Sequence, residues 1–469
     1  MRNYLEAYKN QTITFWALNI FMFLIIVIPK EFNTIFNIIP TRLFLTFLLF
    51  GIFLLDLYRK KIELNKYSLT CYLVFGGLFF LAVIPSVLVS QDRIISLYTV
   101  AKFIGFYLVA FIFTKVKLNK EQVMIILKTL LFAALVVAIF GIAQYVFDFN
   151  LHIASNEKYG GIRGRISSSL FNPIYLGVFV NLVFIIVLYM LKEKKINKIF
   201  GILLAILLYA NLVLTYTRSA SLVILTTLIL ILIFYRKLIL NRNCLFILIG
   251  CVSLHMVIPG ANILVRDAMQ NASGMISFSG IREWFNPTPP STSGGGSSGS
   301  SGRPSNQTPR PPSTGIDYSI HHRSEFSRIA LQIFRDNKFT GVGFGTYIDF
   351  MNSEQFDIDY PDYSFSKTHP HSSPVLLLAE TGIIATLLYF ASLLSFFIII
   401  AINFFKNFKS KNLIYQTSLI ILVISLGFGV TAIIAENLIY DSQIYTIFWI
   451  IVGVLINLML THKHNKTAD

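Results

Sequence analysis

Two histidines separated by one residue, in Thr368-His369-Pro370-His371-Ser372, offer the most direct route to chemistry in this chain. Imidazole titrates near neutral pH and takes a proton from a hydroxyl, so His371 or His369 suits a general base. With His321 and His322 the pair would also suit zinc, but no acidic residue stands at fixed ligand spacing, and the base is the better reading. Several arginines complement it. Arg163 and Arg165 precede Phe171-Asn172-Pro173, Arg218 lies in Thr215-Tyr216-Thr217-Arg218-Ser219, and Arg323 opens a segment running to Asp336. Guanidinium is a planar fork that binds phosphate through two parallel hydrogen bonds. A histidine base among arginines fits transfer from a phosphate-bearing donor, with arginine rather than a metal stabilising charge on a diphosphate leaving group.

The scaffold that must hold these residues is mostly apolar. Of 469 residues, 55% are hydrophobic and 13% charged, and Phe alone occurs 43 times. Soluble domains carry about 25% charged residues, and a soluble core stops growing near 250–300 residues. A soluble enzyme is therefore excluded. The apolar runs are unbroken over about twenty residues, which suits helical spans and not a β-barrel. The expectation is an all-α polytopic membrane protein with about twelve spans, at 12–29, 42–57, 68–89, 95–114, 128–147, 174–191, 198–217, 219–235, 244–258, 377–404, 413–434 and 441–460. The first run lacks a small-residue cleavage site and reads as a retained span. Cys71, Cys244 and Cys251 all lie within apolar runs, so no disulfide framework or thiolate metal site is expected.

The net charge of +16 would suggest nucleic acid in a soluble protein, but placement matters more here, and no nucleic-acid partner is expected. Arg59, Lys60, Lys61 and Lys66 fill one loop; Lys115, Lys117 and Lys120 the next but one; then Lys192, Lys194, Lys195 and Lys198; Arg236, Lys237 and Arg242; and Lys406, Lys409 and Lys411. By the positive-inside rule these loops are cytoplasmic, which places both termini inside. The outer basic residues are mostly Arg, which topology does not require. Arg218 is the only charge between Lys198 and Arg236, so a hairpin sets it at an outer turn. A lone Arg flanked by membrane is a functional candidate by default.

Three regions follow: 1–258 with nine helices, an outer loop at 259–372, and 373–469 with three helices. Within the loop, 286–315 has linker composition, reads as a disordered or engineered insertion, and is set aside for function. From His321 to Asp336 an amphipathic helix is predicted. Phe326, Ile329, Ala330, Ile333 and Phe334 share one face, Arg328 and Arg335 lie opposite, and Arg323 falls on the apolar edge. The glycines of Gly341-Val-Gly-Phe-Gly345 allow a tight turn or close approach. With no strand before them and no GK[ST] after, a nucleotide P-loop is not the reading. From Pro374 to Phe404 a helix rises about 46 Å, longer than the roughly 30 Å bilayer core. A bend at Gly382 is therefore expected, with Glu380 pairing with an Arg or capping the site, a structural role before a catalytic one.

Read together, these segments resemble the O-antigen ligase and Wzy polymerase superfamily. His371-Ser-Ser-Pro-Val-Leu-Leu-Leu-Ala-Glu-Thr-Gly382 is similar to its H-[N/S]-x-x-L…E-x-G signature, with Leu376 one place late or Val375 standing in, and with Ala385 at the final Gly. Arg218-Ser-Ala-Ser-Leu222 resembles R-x-x-x-L. Arg323 to Gly345 is similar to R…W…A-L…G-V-G-x-G, with Phe326 or Ser327 near the Trp. Arg165 to Asn172-Pro173 resembles R…N-P-N, with Ile174 replacing the last Asn. The likeness covers roughly 160–460.

The resemblance implies a GT-C-like glycosyltransferase of the bacterial cytoplasmic membrane, inverting and independent of metal or other cofactor. The donor it implies is a glycan on undecaprenyl pyrophosphate, and the acceptor a sugar hydroxyl. By motif position His371 activates the acceptor, Arg218 and Arg323 hold the pyrophosphate with Arg165 and Arg163, and His369, Glu380, Asn172 and Tyr216 support them. A polysaccharide chain-length regulator is a partner of the kind implied. A polymerase joining repeat units is the leading expectation. A ligase transferring the glycan to lipid A–core or another acceptor comes second. A lipid-linked glycan flippase or transporter is the reading from another class, but no internal repeat or midplane charge cluster supports it.

Overall fold

Inside a bilayer the backbone must satisfy its own hydrogen bonds, so apolar runs of this length fold as helices. A computed structural model of the protein describes residues 11–29, 34–35, 39–147, 165–170, 172–257, 315–361, 363 and 367–465. The order is α1 (Ile13–Val27), an antiparallel pair β1 (Thr34–Ile35) and β2 (Ile39–Pro40), α2 (Thr41–Tyr58), α3 (Thr70–Val89), α4 (Arg93–Lys115), α5 (Lys120–Phe147), α6 (Pro173–Lys192), α7 (Lys198–Leu214), α8 (Arg218–Ile239), α9 (Arg242–Val257), α10 (Gly315–Asp336), α11 (Tyr347–Met351), α12 (Glu354–Asp359), α13 (Ser373–Lys406), α14 (Leu413–Ile434) and α15 (Ser442–Asn465).

The protein is polytopic, and among the described residues the regular structure is helical apart from the four strand residues. Among the described residues, nine helices are long and apolar enough to cross a membrane: α2 to α6, α8, α13, α14 and α15. Helices α1, α7 and α9 are shorter and apolar. Each expected span coincides with one of these twelve. The main departure is α5, expected from 128 and starting at Lys120. Lys120, Glu121 and Lys128 delay the apolar run, but helical hydrogen bonding does not require apolar side chains.

Two helices form the centre. The spanning window of α6 is 94% buried and that of α15 is 89%, against 28% for α2 and α3, which face outward. A helix apolar all round is at home in the middle of a bundle. Where apolar surface gives no advantage over lipid, close packing and polar bonds join the helices. Ser392 Oγ on α13 donates to Tyr72 O at 2.9 Å and accepts from Tyr107 Oη at 3.0 Å.

The loops sort onto two faces. On one, Lys115 Nζ donates to Tyr67 O at 2.8 Å, Leu118 N to Asn457 Oδ1 at 3.2 Å, and Gln122 Nε2 to Gln11 Oε1 at 2.5 Å. The lysine-bearing segments around 60–67 and 115–122 therefore share a face with the start of α1 and the latter part of α15. On the other, Gln443 Nε2 donates to Ile25 O at 3.0 Å and Ser169 O at 3.4 Å, and Ser86 Oγ donates to Glu380 O at 2.6 Å.

On that second face α10 lays Phe326, Ile329, Ala330 and Ile333 against the start of α13, all buried, while Arg328 and Arg335 are exposed. The facial pattern is the expected one except at Phe334, which is only partly buried. Gly382 breaks α13 at φ +74°, as its length required. Residues 286–314 of the linker, Arg163, and the side chains of His321 and His322 lie outside what the structure describes.

Candidate functional site

His371 stands on the segment leading into α13, one residue before the N-cap Ser372, with Pro374 in the first turn. Proline's fixed φ suits a helix start and pins that entry. The imidazole is 30% exposed, yet its Nδ1 is buried and lies 3.5 Å from Oε1 of Glu436. The Phe326 ring of α10 packs beside it, centroids 6.2 Å apart.

Glu436 follows α14, and its carboxylate is gripped from several directions. Asn172 Nδ2 donates to Oε2 at 3.3 Å, and Asn437 N donates to Oε1 at 3.1 Å. Burial pushes the carboxyl upward, but the nearby His371, the Asn437 amide and the charge of Arg323 outweigh it, leaving Glu436 below the usual carboxylate range. Asn172 does double duty, since its Oδ1 also caps α6 by accepting from Ile174 N at 2.8 Å.

Arg323 is half-buried on α10 and close enough for its charge to act on Glu436. Arg328, by contrast, is exposed and pairs with Glu325 at 2.8 Å. His371, Glu436, Asn172 and Arg323 thus form one cluster drawn from four distant parts of the chain.

A second cluster lies at the α7–α8 turn. Tyr216 takes a left-handed φ of +49°, and Arg218 begins α8 directly after the cap residue Thr217. Arg165 braces this turn: its Nε donates to Thr215 O at 2.7 Å and its Nη2 to Thr217 Oγ1 at 2.8 Å. Two of its five guanidinium N–H donors are thereby used on the turn that leads into Arg218. The two clusters adjoin through their helices. Asn181 Nδ2 on α6 donates to Ala220 O on α8 at 3.0 Å, and a Cβ on Gly177 would meet Ala220 Cβ at 2.5 Å. The N-termini of α6 and α8 consequently lie side by side, a setting that favours an anion.

Glu380, expected either to pair with an Arg or to cap the site, takes uncharged donors. It accepts from Gly345 N at 2.9 Å, Tyr347 N at 3.3 Å and Tyr440 Oη at 2.7 Å. These bonds seat the 341–347 loop on α13, where Gly341, Gly343 and Gly345 all take positive φ. The loop in turn carries Tyr347, on which the exposed His369 ring stacks with centroids 5.9 Å apart.

Sequence reasoning passed over two residues here. Glu436 resembled any loop acid between two spans. Lys102 lies within α4, its Nζ 5.8 Å from the Tyr98 ring centroid and 5.7 Å from that of Tyr440, with its charge felt at His369 and Glu380. A lone lysine inside a span was the available signal. Among the described residues no group of three or more His, Cys, Asp or Glu side chains is placed to hold a metal ion.

Residues 202–390 match the family model Wzy_C, described as O-antigen ligase. That stretch contains Arg218, Arg323, the 341–345 glycines, His371 and Glu380, but neither Asn172 nor Glu436. No curated protein matches the chain.

Proposed function

We propose that this chain, which carries an O-antigen ligase family domain over residues 202–390, is a glycosyltransferase that polymerises undecaprenyl-pyrophosphate-linked oligosaccharide repeat units on the outer face of the bacterial cytoplasmic membrane. The observation that supports this reading is a partly exposed imidazole, His371, facing a Glu436 carboxylate on which the charge of Arg323 also acts, at the end of the bundle where Arg218 begins α8. The lysine-bearing face is then cytoplasmic and holds both termini.

In the reaction, Nε2 of His371 takes the proton of an acceptor sugar hydroxyl. The hydroxyl oxygen bonds to the anomeric carbon of the donor as the bond from that carbon to the pyrophosphate oxygen breaks. A single displacement inverts the anomeric centre, and undecaprenyl pyrophosphate departs. Arg218 and Arg323 hold the departing pyrophosphate, where charge develops and stabilisation counts most. Arg165 keeps Arg218 in place.

The family's description supports a second reading, transfer of the glycan to lipid A–core or another acceptor as a ligase. The products separate the two. Purified protein given only lipid-linked repeat units should yield a ladder of chain lengths. A single transfer product formed only when a different acceptor is added would favour the ligase. His371→Ala should lower turnover by about 10³-fold while donor binding persists. Wild-type turnover in that variant would overturn the mechanism.

A further inference from the structure

His371 Nδ1 is buried, and among the described residues its one near polar partner is the Glu436 carboxylate. We propose that Glu436 is the positioning residue of His371: it turns Nδ1–H toward its own Oε1, presents Nε2 to the acceptor hydroxyl, and stabilises the imidazolium once the proton has moved. The inference rests on His371 being the base.

The geometry favours this on three counts. First, a buried carboxylate is costly unless paired, and Glu436 is 9% exposed. Asn172 and Asn437 satisfy part of it, and the imidazole is the remaining partner on Oε1. Second, the pair is fixed through the backbone as well as the side chains. Glu436 N donates to Thr431 O at 3.1 Å, and Ser373 Oγ, two residues after His371, donates to Glu436 O at 3.4 Å. Third, the 3.5 Å separation is that of a poised pair, since catalytic hydrogen bonds commonly tighten only when substrate is bound. A base oriented by a third group is the general logic of activated sites. Among the described residues, the other charged and titratable groups that act on the pair are His369 on the same loop, Arg323 from α10 and Tyr175 from α6. Of these, only Arg323 is a cation whose charge contributes to holding Glu436 ionised.

The test uses the full-length protein in detergent or nanodiscs with a lipid-linked donor, comparing Glu436→Gln, Glu436→Asp, His371→Ala and the double variant. Glu436→Gln should lower kcat on the order of 10- to 100-fold with donor KM within about twofold. Glu436→Asp, which keeps the charge, should recover part of the loss. Over the residual turnover of His371→Ala, adding Glu436→Gln should cost nothing more, because a residue acting through another has no effect once that other is gone. A residue that merely held the fold would change KM and add its loss in both backgrounds. If Glu436→Gln fails to accumulate, the kcat-against-KM split of Glu436→Asp carries the same test. Wild-type kcat in Glu436→Gln, or a full further loss in the double variant, overturns the inference. An active His371→Ala would instead overturn the base assignment beneath it.

Discussion

Gly341 lies so close to Glu380 that a Cβ at position 341 would sit 2.2 Å from the Glu380 carbonyl carbon and oxygen. The contact runs both ways, for a Cβ on Gly382 would meet Phe339 O at 2.5 Å. Hydrogen bonds from Val342 N to Ala379 O and from Ile383 N to Lys338 O clamp the same two segments. The break in α13 and the glycine loop are therefore one joint. Gly341→Ala should destabilise the protein by about 3 kcal/mol or more, combining a left-handed φ with a backbone clash. Thermal unfolding in detergent reads this directly. Gly51→Ala, at an open position with nothing within 4 Å, should stay within about 1 kcal/mol of wild type.

Arg165 and Arg218 should separate by what their loss damages. Arg165→Ala removes two hydrogen bonds that brace the 215–217 turn, so it should cost about 1–3 kcal/mol of stability along with activity. Arg218→Ala should leave unfolding near wild type while lowering turnover about 10²- to 10³-fold. Lys at 218 should rescue poorly, because it offers a point charge and no fork. Equal destabilisation by both alanine variants would contradict the division of labour.

Two arginines on α10 provide a comparison within one helix. Arg323→Ala should lower glycan chain formation about 10²- to 10³-fold. Arg328→Ala breaks only an exposed pair with Glu325, worth under about 1 kcal/mol, and should behave as wild type. Cells lacking the native gene, with membrane levels of each variant checked, supply the assay. Equal loss from the two would remove the basis for placing Arg323 at the donor.

Turnover should survive EDTA, since guanidinium groups take the part a metal would play on the leaving group. Loss of activity on chelation, restored by zinc, would return His369 and His371 to the role of ligands.

The scaffold was legible because each span writes its own signal. About twenty apolar residues make a helix in lipid whatever lies elsewhere, and the length of α13 alone called for the bend at Gly382. The amphipathic face of α10 was readable for the same local reason. Pairing is different in kind. Nothing near Glu436 marks it as the partner of His371, because the two meet only through the packing of α13 against the turn after α14. Asn172 was noticed as part of a helix start, but its second bond, to Glu436, has no trace in local spacing. Glu380 had two readings in the sequence, an arginine's partner or a cap on the site, and nothing in local spacing announces the backbone amides of the 341–347 loop that it takes instead.

That Glu436 lies after α14 gives the site an order of assembly. During synthesis Arg218, Arg323 and His371 all emerge before the carboxylate that faces the histidine, and Gln443, which ties α15 to Ile25 and Ser169, emerges later still. A chain halted between the family-matched stretch and α14 would hold both arginines and the imidazole yet leave Nδ1 facing nothing. On the proposed mechanism, full turnover therefore waits on insertion of the final hairpin, and a chain halted before it would transfer sugar at the reduced rate expected of Glu436→Gln.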